Sequence, residues 1–523
     1  MEKSALKENL WGSFSVSKED IRFIYNLLLE KASPLPSDEI LRELVHSRID
    51  REKRAIEESR AENGEIYYPK NEFQVGDRLV FPALDSQAGQ VTAVRAGLNP
   101  EYGDFQVIDV ELNGGRKMAF AGLLTGHPLN EVPLPGEQDP DFNPEIVLSR
   151  YGSALQEVLD EALLQSGDLV RIAGAWFPRS LLVDISGGHL NLAEAVLEEK
   201  NGGPLTTRAL MEQLELDLDA DPQLVEFSLN LALDEDSRFD EVGPAGVTLW
   251  FLREMEPDDI RETPVFLRYN PPDQPVQINQ DFLGLFEDDL FDELEEWDSS
   301  DESADSICIS LSFPHWRAGT LPLSKSLRAM FPTAYEAPRI QFTFVDGQDG
   351  KTFDGWVARP QKYISGLGDW YRRNDLMPGS LVTVERTTKA GQIKVSYEKS
   401  RQNKEWLKTV LVGTDQGVVF AMLKHPIAAS FNDRMAVAVP DVDAIDTLWT
   451  ARAYQKEPFE KTILRVMREL SKLNPQGQVH AQELYAAVNV VRRCPPGLVL
   501  HTLLESERVN HLGDLYFTLK EKE

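Results

Sequence analysis

The chain interrupts its helical patterning in the same way at three places. The joints are Ser33-Pro34-Leu35-Pro36-Ser37-Asp38-Glu39-Ile40-Leu41, Gly203-Pro204-Leu205-Thr206-Thr207-Arg208-Ala209-Leu210 and Gly477-Gln478-Val479-His480-Ala481-Gln482-Glu483-Leu484-Tyr485. Each passes from a small residue to an apolar one, through polar or small residues, and back to apolar. Before the first joint, Ile21, Ile24, Tyr25, Leu28 and Leu29 recur at the three-and-four spacing of an amphipathic helix. After it, Ser37 is placed to cap a helix whose apolar face is Ile40, Leu41, Leu44 and Val45. A charged third helix is expected over His46 to Glu62. In the later two units the third helix starts beside proline, at Asp221-Pro222 and Pro495-Pro496, where proline suits the first turn. A hairpin then closes each unit, Arg238 to Leu252 through Gly243-Pro244 and Arg508 to Leu519 through Gly513-Asp514. At about 100–200 residues per domain, the 523 residues make three to five domains.

Helix, short strand, helix, helix and two-stranded wing is the order of a winged helix-turn-helix. The joints and closing hairpins resemble the HARE type of winged helix, found in the RNA polymerase delta subunit and in chromatin-associated proteins. The likeness covers roughly 50–65 residues per copy and implies a fold more than a function.

Charge divides the chain. The net charge is −32, from 54 basic and 86 acidic residues. Residues 307–523 hold 29 basic and 23 acidic residues, a net of +6, so residues 1–306 carry the remaining 25 basic and 63 acidic, a net of −38. An acidic front repels phosphates, whereas a mildly basic back can meet them. The charge bias peaks between Asp281 and Asp305, with 12 acids and no Lys or Arg, interleaved with Phe282, Phe286, Leu290, Phe291 and Trp297. It reads as a solvated linker, or as an acidic-hydrophobic motif that folds on a partner or over a basic face of its own chain.

The expected organisation is α+β and multidomain. A tail (1–17) leads to a winged-helix-like unit (18–70), a small SH3-like β-barrel (71–125) and a Pro- and acid-rich linker (126–145). A helical region (146–256) holds a second winged helix at about 189–253. An acidic linker (257–306), a β domain (307–400), a connecting region (401–455) and a C-terminal winged helix (456–523) complete it. The small barrel is argued from short alternating strands, among them Phe105 to Leu112, returning through Asn113-Gly114-Gly115.

The segment 307–400 carries the strongest functional signal. It contains Leu321-Pro322-Leu323-Ser324-Lys325, then Gly355-Trp356-Val357, then Gly366-Leu367-Gly368-Asp369-Trp370-Tyr371-Arg372-Arg373-Asn374-Asp375-Leu376-Met377-Pro378-Gly379-Ser380. The order resembles the DNA-binding pseudobarrel family of plant transcription factors and restriction-enzyme recognition domains, with Ser380 standing where the family has Asp. The resemblance implies DNA held by arms near the first strands and by residues around the strand before the second helix. Arg317, Lys325, Arg328, Arg359 and Lys362 are the candidates, followed by Arg372 and Arg373. His315 to Arg373 holds 9 basic against 5 acidic residues, enough to grip a few phosphates. In the last winged helix, Arg492, Arg493 and Arg508 are further candidates. The Asp221–Arg238 stretch, with five acids and one base, suits protein docking better.

Signals for catalysis are weak. No phosphate-binding loop, nucleophile elbow or His-Glu-x-x-His occurs, and His480, His501, His511 and Cys494 have no tetrahedral zinc spacing. Two cysteines make no disulfide framework, no apolar run spans a membrane, and the N-terminus lacks a secretory h-region. The expectation is a cytoplasmic, non-enzymatic protein without cofactor. It would bind DNA and act at transcription, its acidic half meeting a protein partner such as the transcription machinery. An acidic interaction scaffold without DNA binding, and a nuclease or restriction-type component, remain as alternatives.

Overall fold

The computed structural model describes residues 11–520 apart from 13, 85–86, 100–101, 114, 131–139, 215, 217–219, 273–283, 287–289, 296–303, 335–336, 390, 401–403 and 415–416. The chain is α+β and forms two compact units. One is Met1–Val183 with Ala220–Leu224; the other is Asp184–Asp219 with Val225–Glu523.

In the first unit, helix Lys18–Lys31 opens on a reciprocal cap: Asp20 N donates to Ser17 Oγ at 3.2 Å and Ser17 N to the Asp20 carboxylate at 2.9 Å. A two-residue strand, Leu35–Pro36, leads into helix Ser37–Asn63. That helix is continuous, so the expected separate third helix over His46 to Glu62 does not exist. No Pro or Gly interrupts the run. It stops at Gly64, whose φ of +120° and packing against the Arg78 carbonyl leave no room for a Cβ. The third helix is Pro144–Gln165, followed by the hairpin Leu169–Ile172 and Ala175–Pro178, whose second strand pairs with Leu35–Pro36. A five-stranded sheet (Glu65–Ile66, Arg78–Phe81, Gln87–Ala96, Gln106–Leu112, Lys117–Gly122) is therefore inserted between the second and third helices. Its core is Tyr67, Phe73, Leu79, Phe81, Val91, Ile108, Val110 and Leu112. The expected helical region 146–256 is accordingly divided, its first part completing the first unit.

That order recurs twice more along the chain. Helix Gly187–Glu199, strand Leu205–Thr206, helices Thr207–Leu214 and Pro222–Asp234, and strands Phe239–Glu241 and Leu249–Leu252 form one copy. Helix Phe459–Ser471, strand Gln478–His480, helices Ala481–Asn489 and Pro496–Glu505, and strands Val509–Gly513 and Tyr516–Leu519 form the other. In all three copies the first short strand pairs antiparallel with the last strand of the hairpin.

Between the two copies lies a curled seven-stranded sheet. Its strands are β1 (Ser306–Ser310), β2 (Thr320–Pro322), β3 (Arg339–Asp346), β4 (Thr352–Ala358), β5 (Tyr363–Ser365), β6 (Leu381–Arg386) and β7 (Gln392–Ser396). They lie in the order β1-β6-β7-β3-β4-β5-β2, with only β7 and β3 parallel. Strand β3 alternates buried and half-buried residues without a break, the period-two pattern of a sheet with one face in the core. Inside are Ile309, Leu321, Ile340, Phe344, Val357, Ile364, Val382, Val384 and Val395. Short helices Phe313–Ala318 and Gly368–Arg373 accompany the sheet. Trp370 and Leu376 are buried in the same core. Gly379, at φ +92°, lies so close to the Ala436 backbone that a Cβ there would collide.

The sequence reads the acidic segment as a solvated linker or as an acidic-hydrophobic motif that folds on a partner or over a basic face of its own chain. Among its described residues, Leu290–Glu293 is buried, which departs from the linker reading: Phe286 and Leu290 enter the core of the C-terminal copy, and Phe291 enters the core of the curled sheet. The rest of the Asp281–Asp305 stretch falls largely outside the described residues. Among the described residues no helix is long and apolar enough to cross a membrane.

Candidate nucleic-acid interface

Three of the ten sequence-predicted cations converge. Arg328, Arg359 and Lys362 line a cleft of about 500 Å³ on the curled sheet, together with Leu323, Phe331, Pro332, Thr333, Ala337, Pro338, Val357 and Pro360. Two tight segments build it. Leu323, just past β2, donates its N–H to the Lys362 carbonyl at 2.9 Å, and Arg359 donates its N–H to Pro338 at 3.0 Å. The Arg359–Lys362 turn closes at 3.3 Å with Lys362 in the left-handed region, φ +58°, a conformation uncommon outside glycine. Arg359 Nη1 also donates to the carbonyls of Ala334 and Ala337, each at 3.0 Å. These acceptors are neutral, so they aim the guanidinium without cancelling its charge. Among the described residues no carboxylate lines this cleft.

A neighbouring cleft of about 730 Å³ shares Phe331, Pro332 and Thr333 and adds Arg386 and Lys389, with Asp354 as its acid. Arg386 Nη2 donates to the Ala329 carbonyl at 2.7 Å. The sequence reading missed both cations. Arg386-Thr387-Thr388-Lys389, a basic turn between two alternating strands, was the available signal.

The other predicted residues lie elsewhere. Lys325 and Arg373 are exposed on their short helices, and Arg372 is exposed and pairs with Asp369 in its own helix. Arg317 is turned to helix Val442–Ala451: its Nε donates to Asp446 at 3.0 Å and its guanidinium covers the Phe266 ring. That hydrogen-bonded ion pair raises its pKa above the ordinary arginine value. Arg508 is exposed beside the last hairpin.

Arg493 must be corrected, and Arg492 beside it lies half-buried. Arg492 Nη1 donates to the carbonyls of Tyr454 and Glu457 at 3.1 and 2.8 Å and stacks on Phe459. Arg493 is 3% exposed and bound by the acidic segment. It donates to Asp292 at 2.7 and 2.9 Å and to Glu293 at 2.8 Å. Glu293 also meets His315 Nε2 at 2.9 Å, and Asp292 accepts from the Tyr485 hydroxyl at 2.7 Å. Burial alone would pull Arg493 down, but Asp292 and Glu293 hold its pKa well above the usual range. Arg493 is closed to solvent and to phosphate, and Arg492 is half-buried with its Nη1 tied to backbone carbonyls of its own surroundings.

His480 accepts from Gln482 N at 3.2 Å as the cap of its helix, and Cys494 is buried. No group of three or more His, Cys, Asp or Glu among the described residues could hold a metal ion. No protein-family model, curated protein or solved structure matches the chain.

Proposed function

We propose that this is a nucleic-acid-associated regulatory protein without catalytic activity, which contacts DNA through the curled sheet and acts at transcription. The observation that carries the reading is the convergence of Arg328, Arg359 and Lys362 on one cleft. Guanidinium and ammonium groups on one concave face bind adjacent phosphates and release their counterions. The seven-strand order and the placement of Trp370, Leu376 and Gly379 support a pseudobarrel of the kind the sequence resembles. The three repeated helical copies support winged helices. The acidic half, at −38, suits a protein partner and keeps that end of the chain off DNA.

Fluorescence anisotropy of the full chain with duplex DNA at two salt concentrations tests this. Binding that weakens steeply with salt is the expected result, and the Arg328→Gln, Lys362→Gln pair reduces both affinity and salt slope. Absence of binding at low salt would leave the acidic scaffold as the better reading.

A further inference from the structure

The cleft is more than a row of cations. Arg328 and Arg359 are exposed, whereas Leu323, Phe331 and Val357 of the same lining are buried, and prolines 332, 338 and 360 add further apolar lining. Phosphates held from outside a duplex need donors and charge; they gain nothing from an apolar hollow. About 500 Å³ falls within the range of cavities that enclose small molecules, roughly 300–1,000 Å³. The mouth is positive and the interior is apolar, which is the polarity of a single nucleotide: phosphate outside, base face inside.

We infer that this cleft takes one unstacked nucleotide, its base lying against the proline walls and its phosphates on Arg359 and Lys362. The inference rests on the nucleic-acid reading and narrows it to substrates with an unpaired or easily extruded base. The walls are preset for that. The backbone hydrogen bonds of Leu323, Arg359 and Lys362 tie the two sides of the cleft together, and proline rings lose little freedom when a planar base settles on them. A base that is already unpaired costs less to bring out of the stack than a paired one, so the site discriminates by pairing state.

The test compares a short duplex with the same duplex carrying one central mismatch, using the full-length chain at low salt. The mismatched duplex should bind at least about fivefold tighter. A 2-aminopurine at the mismatch should brighten on binding as it leaves the stack. Thr333→Trp, on the exposed rim of the cleft, should fill the recess and abolish the preference, so that the two duplexes bind alike. Equal affinity for the two duplexes with unchanged 2-aminopurine emission would overturn the nucleotide pocket and leave the phosphate-binding reading standing. So would a Thr333→Trp chain that keeps the full preference. Failure to bind either duplex would remove both.

Discussion

Arg493 closes both of its terminal nitrogens on the carboxylate of Asp292, 201 residues earlier in the chain, at 2.7 and 2.9 Å and out of reach of water. The contact makes the acidic segment an internal part of the second unit. Phe291 packs in the curled sheet and Leu290 in the C-terminal copy, so one short stretch serves two cores. Arg493→Met would leave two buried carboxylates without their cation and should destabilise the second unit by about 3–5 kcal/mol in urea unfolding. Adding Asp292→Asn and Glu293→Gln to Arg493→Met should recover a large part of that loss, because the unpaired charges are then gone. A triple variant no more stable than the single would mean that packing, and not charge, sets the cost.

The second unit should lose stability as pH rises toward 8. Burial, with help from Asp240, pushes Glu256 up to about 8, against the opposing Arg339 and Arg253. Burial, with help from Asp292, raises Glu295 to about 7, although Gly497 N donates to it. Both values exceed the unfolded carboxyl's, so the folded chain holds protons that the unfolded chain has released. Their contribution is complete below about 4.5 and disappears as pH climbs through the folded values. His480 acts in the opposite sense. Burial first, then Arg434 and Lys408, lowers it to about 4, so its contribution is complete above 6.5 and lost on acidification. Urea midpoints between pH 6.5 and 8.5 isolate the glutamates, and Glu256→Gln should flatten the decline there.

The first unit responds to acid. Asp20 is 1% exposed and accepts from Ser17, Arg48 and Arg51. Burial would raise its pKa, but those three partners together hold it far below the usual carboxylate range. The stability it supplies is therefore present above about 4 and lost as pH falls further. Asp20→Asn should cost about 2 kcal/mol at pH 7 and less at pH 3, read from unfolding of the full chain.

Repetition within the chain predicts a graded effect. Trp176 Nε1 donates to Ser37 Oγ at 2.9 Å, and Ser37 in turn donates to Asp160 at 2.6 Å. In the second copy, Trp250 Nε1 meets Thr207 Oγ1 at 3.2 Å and Asn230 Oδ1 at 3.0 Å. The third copy places Phe517 and Ala481 at these positions, so indole and hydroxyl are absent together. Ser37→Ala orphans a buried N–H and should cost about 2 kcal/mol, whereas Thr207→Val leaves Asn230 as acceptor and should cost about 1 kcal/mol or less. Thermal unfolding of the two variants checks the order.

Local features were legible in the sequence. The joints at Leu35, Leu205 and Val479 announced themselves because a helix break and a buried or half-buried apolar residue are written in adjacent letters. The Gly366–Ser380 stretch, singled out by its letters, carries the buried Trp370 and Leu376. What was hidden is long-range. Nothing near Asn63 says that the third helix of its unit waits until Pro144, beyond an inserted sheet. Nothing near Arg493 says that Asp292 will neutralise it. Arg492 and Arg493 looked like phosphate ligands because charge is visible in a sequence and its partner is not. The helix Ser37–Asn63 was divided in the reading because its apolar stripe fades after Ile49, although no breaker follows until Gly64.

Cations that tie packed elements together and cations that line the cleft make separate functional predictions. Arg317 and Arg493 are held by Asp446 and by Asp292 with Glu293, so replacing either should lower stability without changing the salt dependence of DNA binding. Arg328 and Lys362 line the open cleft. Each Gln substitution there should shift the slope of log affinity against log salt by about 0.9, one released counterion per lost phosphate contact. Anisotropy titrations over a range of salt concentrations, run beside urea unfolding of the same four variants, separate the two groups. A slope that moves for Arg317→Gln and not for Lys362→Gln would place the interface elsewhere on the second unit.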